Sequence, residues 1–343
     1  MKVRILLFML ILGIHAPAFA GYSEGAAAYE KGEYAKALKE LRPLAERGDA
    51  NAQHYLGLMY FYGNGVQKDS KQSVDWFRRS ADSGDASAQF NLGLIYMSGK
   101  ELPKDDKQAV GWYRKAAEQG FAKAQSNLGA MYAEGTGVRK DNIQAAYWYG
   151  KAADQGYADA QSHLGVMFTD GAGVPKDNKK AVELFRKAAE QGNDLGQYML
   201  GLMYARGLGV SRDEKQALEW YFKAAETKNP HAQFSIGDMY AKADALPRDN
   251  KQAYEWYRKA AEQGHAQALY SLGIMHVNGT AVPKHDVSAY ILFNLAAANG
   301  EENAVSKRES LEKKLSREQI NDGQAAASAW KQGTPLPIAI RSK

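Results

Sequence analysis

Residues 122–156 read AKAQSNLGAMYAEGTGVRKDNIQAAYWYGKAADQG, and this pattern returns every 36 residues on either side. Leu-Gly stands at 56–57, 92–93, 128–129, 164–165, 200–201 and 272–273, with Ile236-Gly237 in the remaining place. A second register holds Trp76, Trp112, Trp148, Leu184, Trp220, Trp256 and Leu292, each followed by an aromatic residue. A third holds Ala81, Ala117, Ala153, Ala189, Ala225, Ala261 and Ala297. Three registers sharing one period over seven copies define a repeat architecture before any residue is read for chemistry.

Each copy reads as two helices. In the second copy, Ala88, Leu92, Ile95 and Tyr96 fall on one face of a helix over Ala86–Ser98, which ends at Gly99, where a left-handed residue closes a helix. A second helix runs from Asp105 to Gly120, with Ala109, Trp112, Tyr113, Ala116 and Ala117 as its apolar stripe. Asp69/Gln72, Asp105/Gln108, Asp141/Gln144, Asp213/Gln216 and Asp249/Gln252 have capping-box spacing, while Asp177 keeps the acceptor but has Lys180 three residues on. The Leu-Gly glycine lies inside a helix, where it costs about 1 kcal/mol relative to Ala. A cost repeated seven times implies close approach by a bulky residue of the paired helix, expected to be the Trp or Leu of the second register.

The unit A-x-A-Q-x-x-L-G-x-M-Y-x-x-G-x-G-V-x-K-D-x-x-x-A-x-x-W-Y-x-K-A-A-x-x-G resembles the Sel-one-like repeat, a relative of the tetratricopeptide repeat, over Ala50 to Gly300. The resemblance implies an all-α fold, a right-handed α-α superhelix or solenoid of antiparallel helix pairs, used mainly to hold other proteins. The organisation expected is an N-terminal signal over 1–20, a short hairpin over 21–49, seven repeats over 50–301, capping helices over 302–331 and a tail over 332–343. The sixth repeat departs most, with Ala243 and Ala245 for its loop glycines, Lys228 for its closing glycine and Pro230 just before a helix. Glu301–Leu315 and Ser316–Trp330 read as helices, the latter opening on a Ser316/Gln319 capping box.

Lys2 and Arg4, the apolar run Ile5–Ile14 and Ala18-Phe19-Ala20 make the three parts of a secretory signal cleaved after Ala20. Ten apolar residues rise only about 15 Å, too short to span a bilayer. The expected location is the periplasm or outside the cell, with no membrane insertion after cleavage. The net charge of +5 falls to +3 without Lys2 and Arg4, too little to argue for nucleic acid. The chain has no cysteine, which excludes disulfides, thiolate metal sites and a cysteine nucleophile.

Gly63/Gly65, Gly135/Gly137, Gly171/Gly173 and Gly207/Gly209 lie between helices rather than after a strand, so they read as turns and not as a phosphate cradle. The Met register, from Met59 and Met131 to Met275, reads as core packing rather than a copper site. The histidines show no metal-ligand spacing, so neither metal nor cofactor is expected. Secreted cysteine-rich members of the family have been described as penicillin-binding or β-lactamase-like. Ser310/Lys313 and Ser328/Lys331 match Ser-x-x-Lys, but no Ser-Asp-Asn or Lys-Thr-Gly accompanies them, and the missing cysteines separate this chain from that branch. The expected function is therefore a non-enzymatic scaffold that binds a protein or peptide along the concave face of the first helices. The positions expected there vary between repeats: Tyr55, Tyr62, Asn91, Asn127, Glu134, His163, Asp170, Met199, Arg206 and Asp238. Binding of a cell-wall glycan through the tyrosines is the alternative.

Overall fold

The computed structural model describes residues 16–244 and 246–338. Among them lie eighteen helices and no strand. The first helices of the seven repeats are α3 (Ala50–Tyr62), α5 (Ala86–Ser98), α7 (Ala122–Glu134), α9 (Ala158–Asp170), α11 (Asp194–Arg206), α13 (Pro230–Lys242) and α15 (Ala266–Asn278). The second helices are α4 (Ser70–Asp82), α6 (Asp106–Glu118), α8 (Asn142–Asp154), α10 (Asn178–Glu190), α12 (Glu214–Glu226), α14 (Asn250–Glu262) and α16 (Asp286–Ala298). A hairpin of α1 (Ala16–Glu30) and α2 (Tyr34–Glu46) precedes them, and α17 (Asn303–Glu312) and α18 (Arg317–Ala329) follow. The chain divides into two compact units between Lys176 and Asp177, inside the fourth repeat. Within each unit, consecutive helices pack on one another as a solenoid of helix pairs. The expected cleavage point after Ala20 falls within α1, and residues 1–15 of the expected signal lie outside the described residues.

Local chemistry sets the helix ends. Asp105, Asp141, Asp213 and Asp249 each accept the backbone N–H groups two and three residues on, and Asp69 and Asp177 accept the third. These are half of the expected capping boxes. One carboxylate oxygen takes both backbone donors in four of the helices, while the side chains of Gln108, Gln144 and Gln252 stay exposed. The reciprocal pair forms at Ser316/Gln319. In the sixth repeat, Pro230 occupies the first turn of α13, where no hydrogen bond is lost. Lys228 and Ala243 keep the left-handed backbone that glycine supplies elsewhere, at φ of 65° and 64°. Ala245 lies outside the described residues.

The residue that fills the Leu-Gly notch is not the one expected. A Cβ built on Gly57, Gly93, Gly129, Gly201, Gly237 or Gly273 would meet the ring of Phe77, Tyr113, Tyr149, Tyr221, Tyr257 or Phe293 at 2.5–3.0 Å. The notch therefore takes the aromatic residue after the Trp or Leu. Adjacent residues on a helix point about 100° apart, so when one faces the paired helix the other is turned away. Trp76, Trp112, Trp148 and Trp256 lie half-buried over the edge of the core instead. Cations cover four of the tryptophans among the described residues, with Arg79 4.7 Å from the Trp76 ring, Lys115 4.0 Å from Trp112, Lys223 3.9 Å from Trp220 and Lys259 3.7 Å from Trp256. The methionine register is core, as expected: Met59, Met131, Met167, Met203, Met239 and Met275 are all buried.

Two polar registers hold the stack together. Buried Gln53, Gln89, Gln125, Gln161 and Gln197 each donate from Nε2 to an alanine carbonyl eight residues back, at 3.0–3.4 Å, giving each of these helix-end carbonyls a second donor beside the glycine N–H three residues on. Arg42, Arg78, Arg114 and Arg186 donate to the hydroxyls of Tyr60, Tyr96, Tyr132 and Tyr204 on the following first helix at 2.8–3.1 Å.

The C-terminal end is closed. Gly323 of α18 sits against the fully buried ring of Tyr290, whose hydroxyl donates to Glu312 Oε1 at 3.1 Å and accepts from Gln324 Nε2 at 3.1 Å. The proline-rich tail then folds back as a strap. The Gly333 N–H donates to the Glu262 carbonyl at 2.7 Å, the Gln332 amide to the Gln263 carbonyl, and Leu336 and Ile338 are buried in the last core.

Candidate partner-binding face

The first helices present two rows of side chains in each unit. The residue before each Leu-Gly pair makes one row: Tyr55, Asn91, Asn127 and His163, then Met199 in the second unit. The last residue of each first helix makes the other: Tyr62, Glu134 and Asp170, then Arg206. Seven residues separate the rows, about 10 Å along a helix. Asp238, three residues after the first row, lies between them.

The two rows differ in freedom. Tyr62 is 62% exposed, its ring edge-on to Phe61 at 5.0 Å. Glu134, Asp170 and Arg206 are exposed too. The first row is half-buried and already engaged. Tyr55 packs edge-on against Tyr29 at 5.2 Å and Tyr22 at 6.2 Å. Asn91 is hydrogen-bonded to His54 Nε2 at 2.9 Å, and the His163 ring stands edge-on to Tyr149 at 5.2 Å. Met199 is half-buried between its neighbours.

Sequence reading missed that the notch tyrosines reach this face from the second helices. Tyr113 is hydrogen-bonded to Asn127 and contacts Met97 Sδ at 3.8 Å. The Tyr257 hydroxyl donates to Asp238 Oδ1 at 2.7 Å, and the other Asp238 oxygen pairs with Lys242 at 2.5 Å. Asn127 and Asp238 are thus tied down from behind. The signal was the Tyr or Phe that follows each Trp or Leu, since only tyrosine carries the hydroxyl.

Burial sets the titration of these groups. It pushes the Tyr113 hydroxyl up to about 12, against the Asn127 hydrogen bond, and raises Tyr257, with the Asp238 carboxylate adding to the effect. Tyr55 rises to about 12 through burial, neighbouring Tyr22 and the Glu30 carboxylate. His54 and His163 are pushed below the ordinary imidazole value by burial. These phenols stay protonated at neutral pH and serve as hydrogen-bonding groups, not bases.

Among the described residues, no three His, Asp or Glu side chains gather as a metal site. No described helix is long and apolar enough to cross a membrane. Ser310 and Ser328 are exposed, on α17 and α18.

Helix pairs of one period, joined by left-handed glycine turns and notched for an aromatic ring, define an all-α repeat solenoid. The Sel1 repeat model matches residues 50–85, 86–121, 122–157, 158–193, 194–227, 230–265 and 266–301, and the chain belongs to the Sel1 repeat family. A Sel1 repeat protein from Oxalobacter formigenes is 32% identical, with 86% of each chain covered and a TM-score of 0.65. A protective antigen of uropathogenic Escherichia coli, displaying an SLR fold, is 32% identical over 90% of this chain and 82% of that one, with a TM-score of 0.47. A 43-residue stretch is 51% identical to the secretory immunoglobulin A-binding protein EsiB of Escherichia coli O6:H1, covering 12% of this chain and 9% of that protein. Sel1 repeat solenoids are in general protein-interaction scaffolds and typically not catalysts.

Proposed function

We propose that this chain is an exported, non-enzymatic scaffold of the bacterial envelope that holds a partner protein through a peptide or loop laid along the first-helix rows within a unit. One observation carries the reading: variable side chains stand on a repeated frame, and the outer row, Tyr62, Glu134, Asp170 and Arg206, is exposed. Aromatic and arginine side chains of this kind anchor protein interfaces. EsiB, as its name states, binds secretory immunoglobulin A, which supports a protein as the partner class. Export rests on the basic, apolar and Ala-x-Ala parts of residues 1–20.

The test is crosslinking in intact cells, with recovered proteins identified by mass spectrometry for the wild type and for Tyr62→Ala/Glu134→Ala/Asp170→Ala/Arg206→Ala. A specific protein lost from the variant is the expected result. Identical partners at identical yield would remove the face assignment, and retention of both forms on peptidoglycan alone would favour the glycan reading. The mature chain should begin at Gly21.

A further inference from the structure

The helix that follows the seventh repeat keeps the spacing of a first helix but changes its chemistry at one position. Ala304 and Leu311 of α17 stand one period after Ala268 and Met275, and all four are buried. In the same register the buried leucine or isoleucine of each Leu-Gly pair, down to Leu272, gives way to Arg308, and the notch glycine to Glu309. One period after Asp286 is Asp322, yet α18 starts at Arg317, so it is out of step with the earlier second helices. A cavity of about 470 Å³ remains between α16, α17 and α18. Leu295 and Ala298 of α16, Val305 of α17 and Ala327 of α18 give it apolar walls, while Arg308 and Ser328 supply polar groups. Such a volume and lining suit a small ligand held by a few placed donors.

Arg308 is half-buried, and a guanidinium drawn out of water is costly unless its N–H groups are satisfied. Among the described residues nothing is hydrogen-bonded to it: Nε is buried without a partner, and the Glu312 carboxylate stands 3.7 Å away. That carboxylate already accepts the Tyr290 hydroxyl at 3.1 Å. The amides of Asn294 and Gln324, which also line the cavity, donate to the Tyr290 carbonyl and hydroxyl. This leaves Arg308 and the exposed Ser328 hydroxyl as lining donors with no hydrogen-bond partner among the described residues. A guanidinium matches the single charge of a carboxylate and holds it through two parallel N–H donors. No second cation lines the cavity to balance the larger charge of a phosphate.

We propose that this cavity is a binding site for a carboxylate carried on a small aliphatic body, with Arg308 and Ser328 on the carboxylate and the apolar walls around the aliphatic part. A free aliphatic acid and the C-terminal residue of a peptide share that chemistry. None of the first-helix row residues lines the cavity, so the site stands apart from the scaffold reading.

The probes are acetyl-leucine and its uncharged amide, titrated into the full chain while the methyl signals of Leu295 and Val305 are followed by NMR. Expected are saturable shifts with the acid and roughly tenfold weaker binding both of the amide and of the acid to Arg308→Gln. Ser328 is exposed, so Ser328→Trp should melt like the wild type while its ring fills the cavity and blocks the acid. Tighter binding of isocaproate than of acetyl-alanyl-leucine would support the site as one for a free acid, and the reverse order as one for a peptide end. An equal response to acid and amide, no response to the acid, or full affinity in both variants would overturn the proposal.

Discussion

The two ends of the repeat array carry the same frame but finish it differently. At the N-terminal end, α1 and α2 are joined by three residues where the repeats use seven, and tyrosines 22, 29 and 55 cover the edge of the core while remaining half-exposed. At the C-terminal end, α17, α18 and the strap bury Tyr290, Leu311, Leu336 and Ile338. A solenoid must satisfy its last apolar face somehow, because no further repeat covers it. Here one end is sealed by buried side chains, and the other is finished with amphipathic rings that shield the core while the hydroxyls of Tyr29 and Tyr55 bond to Asn64 and Glu30.

The largest effect should come from the sealed end. Tyr290→Ala should cost about 3–5 kcal/mol in a denaturant titration, because it empties a fully buried site and leaves Glu312 and Gln324 without their common partner. Tyr55→Ala at the open end should cost about 1 kcal/mol, since its ring is half-exposed. Comparable costs would erase the distinction between the ends.

Acid should act next, and mainly on the sealed end. His265 accepts the Ala268 N–H at Nδ1 and His285 accepts the Ser288 N–H at Nδ1, so both cap helices as neutral rings. His276 is 3% exposed, with Tyr254 at Nε2 and no partner at Nδ1. Burial holds His265 and His276 at about 4, helped at His265 by His231 and at His276 by His285. The folded state therefore binds fewer protons than the unfolded chain below the ordinary imidazole value near 6.5. Stability is complete above about pH 6.5 and falls as pH drops toward 4, by on the order of 1 kcal/mol per histidine after solvent screening. Hydrogen exchange, corrected for intrinsic rate, should lose protection in α15 and α16 more than in α1–α3. Replacing His265 with Asp, as at the starts of α3 and α5, should shift the loss to lower pH.

The smallest effect concerns the repeat bodies, which should respond alike in both units. Gln119, Gln155 and Gln263 donate to the Oε1 of Gln89, Gln125 and Gln233 at 2.7–2.8 Å. Gln53 and Gln197 have a buried Oε1 with no partner, and the residues 30 positions on are Ser83 and Thr227. Ser83→Gln and Thr227→Gln should each add about 1 kcal/mol by supplying the missing donor. Unequal gains would mean that the repeat bodies, and not only the ends, differ.

Much of this was legible because the information is local. The period, the two-helix unit and the helix ends follow from caps and apolar spacing within a few residues, and Asp105, Gly99 and Ser316 act where they were expected. The notch was legible as a notch, but its occupant was not, since Trp148 and Tyr149 are both aromatic and only the packed geometry says which one faces Gly129. The paired glutamines, the strap and the tyrosine ties on Asn127 and Asp238 depend on contacts between residues 14 to 71 positions apart. The residues of the candidate face lie on the first helices, but which of them are exposed and which are already bonded emerged only from packing.

The strap also bears on the order in which the chain can assemble. Contacts between neighbouring repeats close loops of about one period, such as the 37 residues between His54 and Asn91, whereas Gln332 meets Gln263 across 69. Short loops close at low entropic cost, so helix pairs can form anywhere along the chain and grow by accretion. The strap has nothing to dock on until α14 is in place, which makes it a late step on the folding route and an early one on the way out. Proteolytic sensitivity around Thr334 should therefore rise before any repeat opens, an early reporter of loosening at that end.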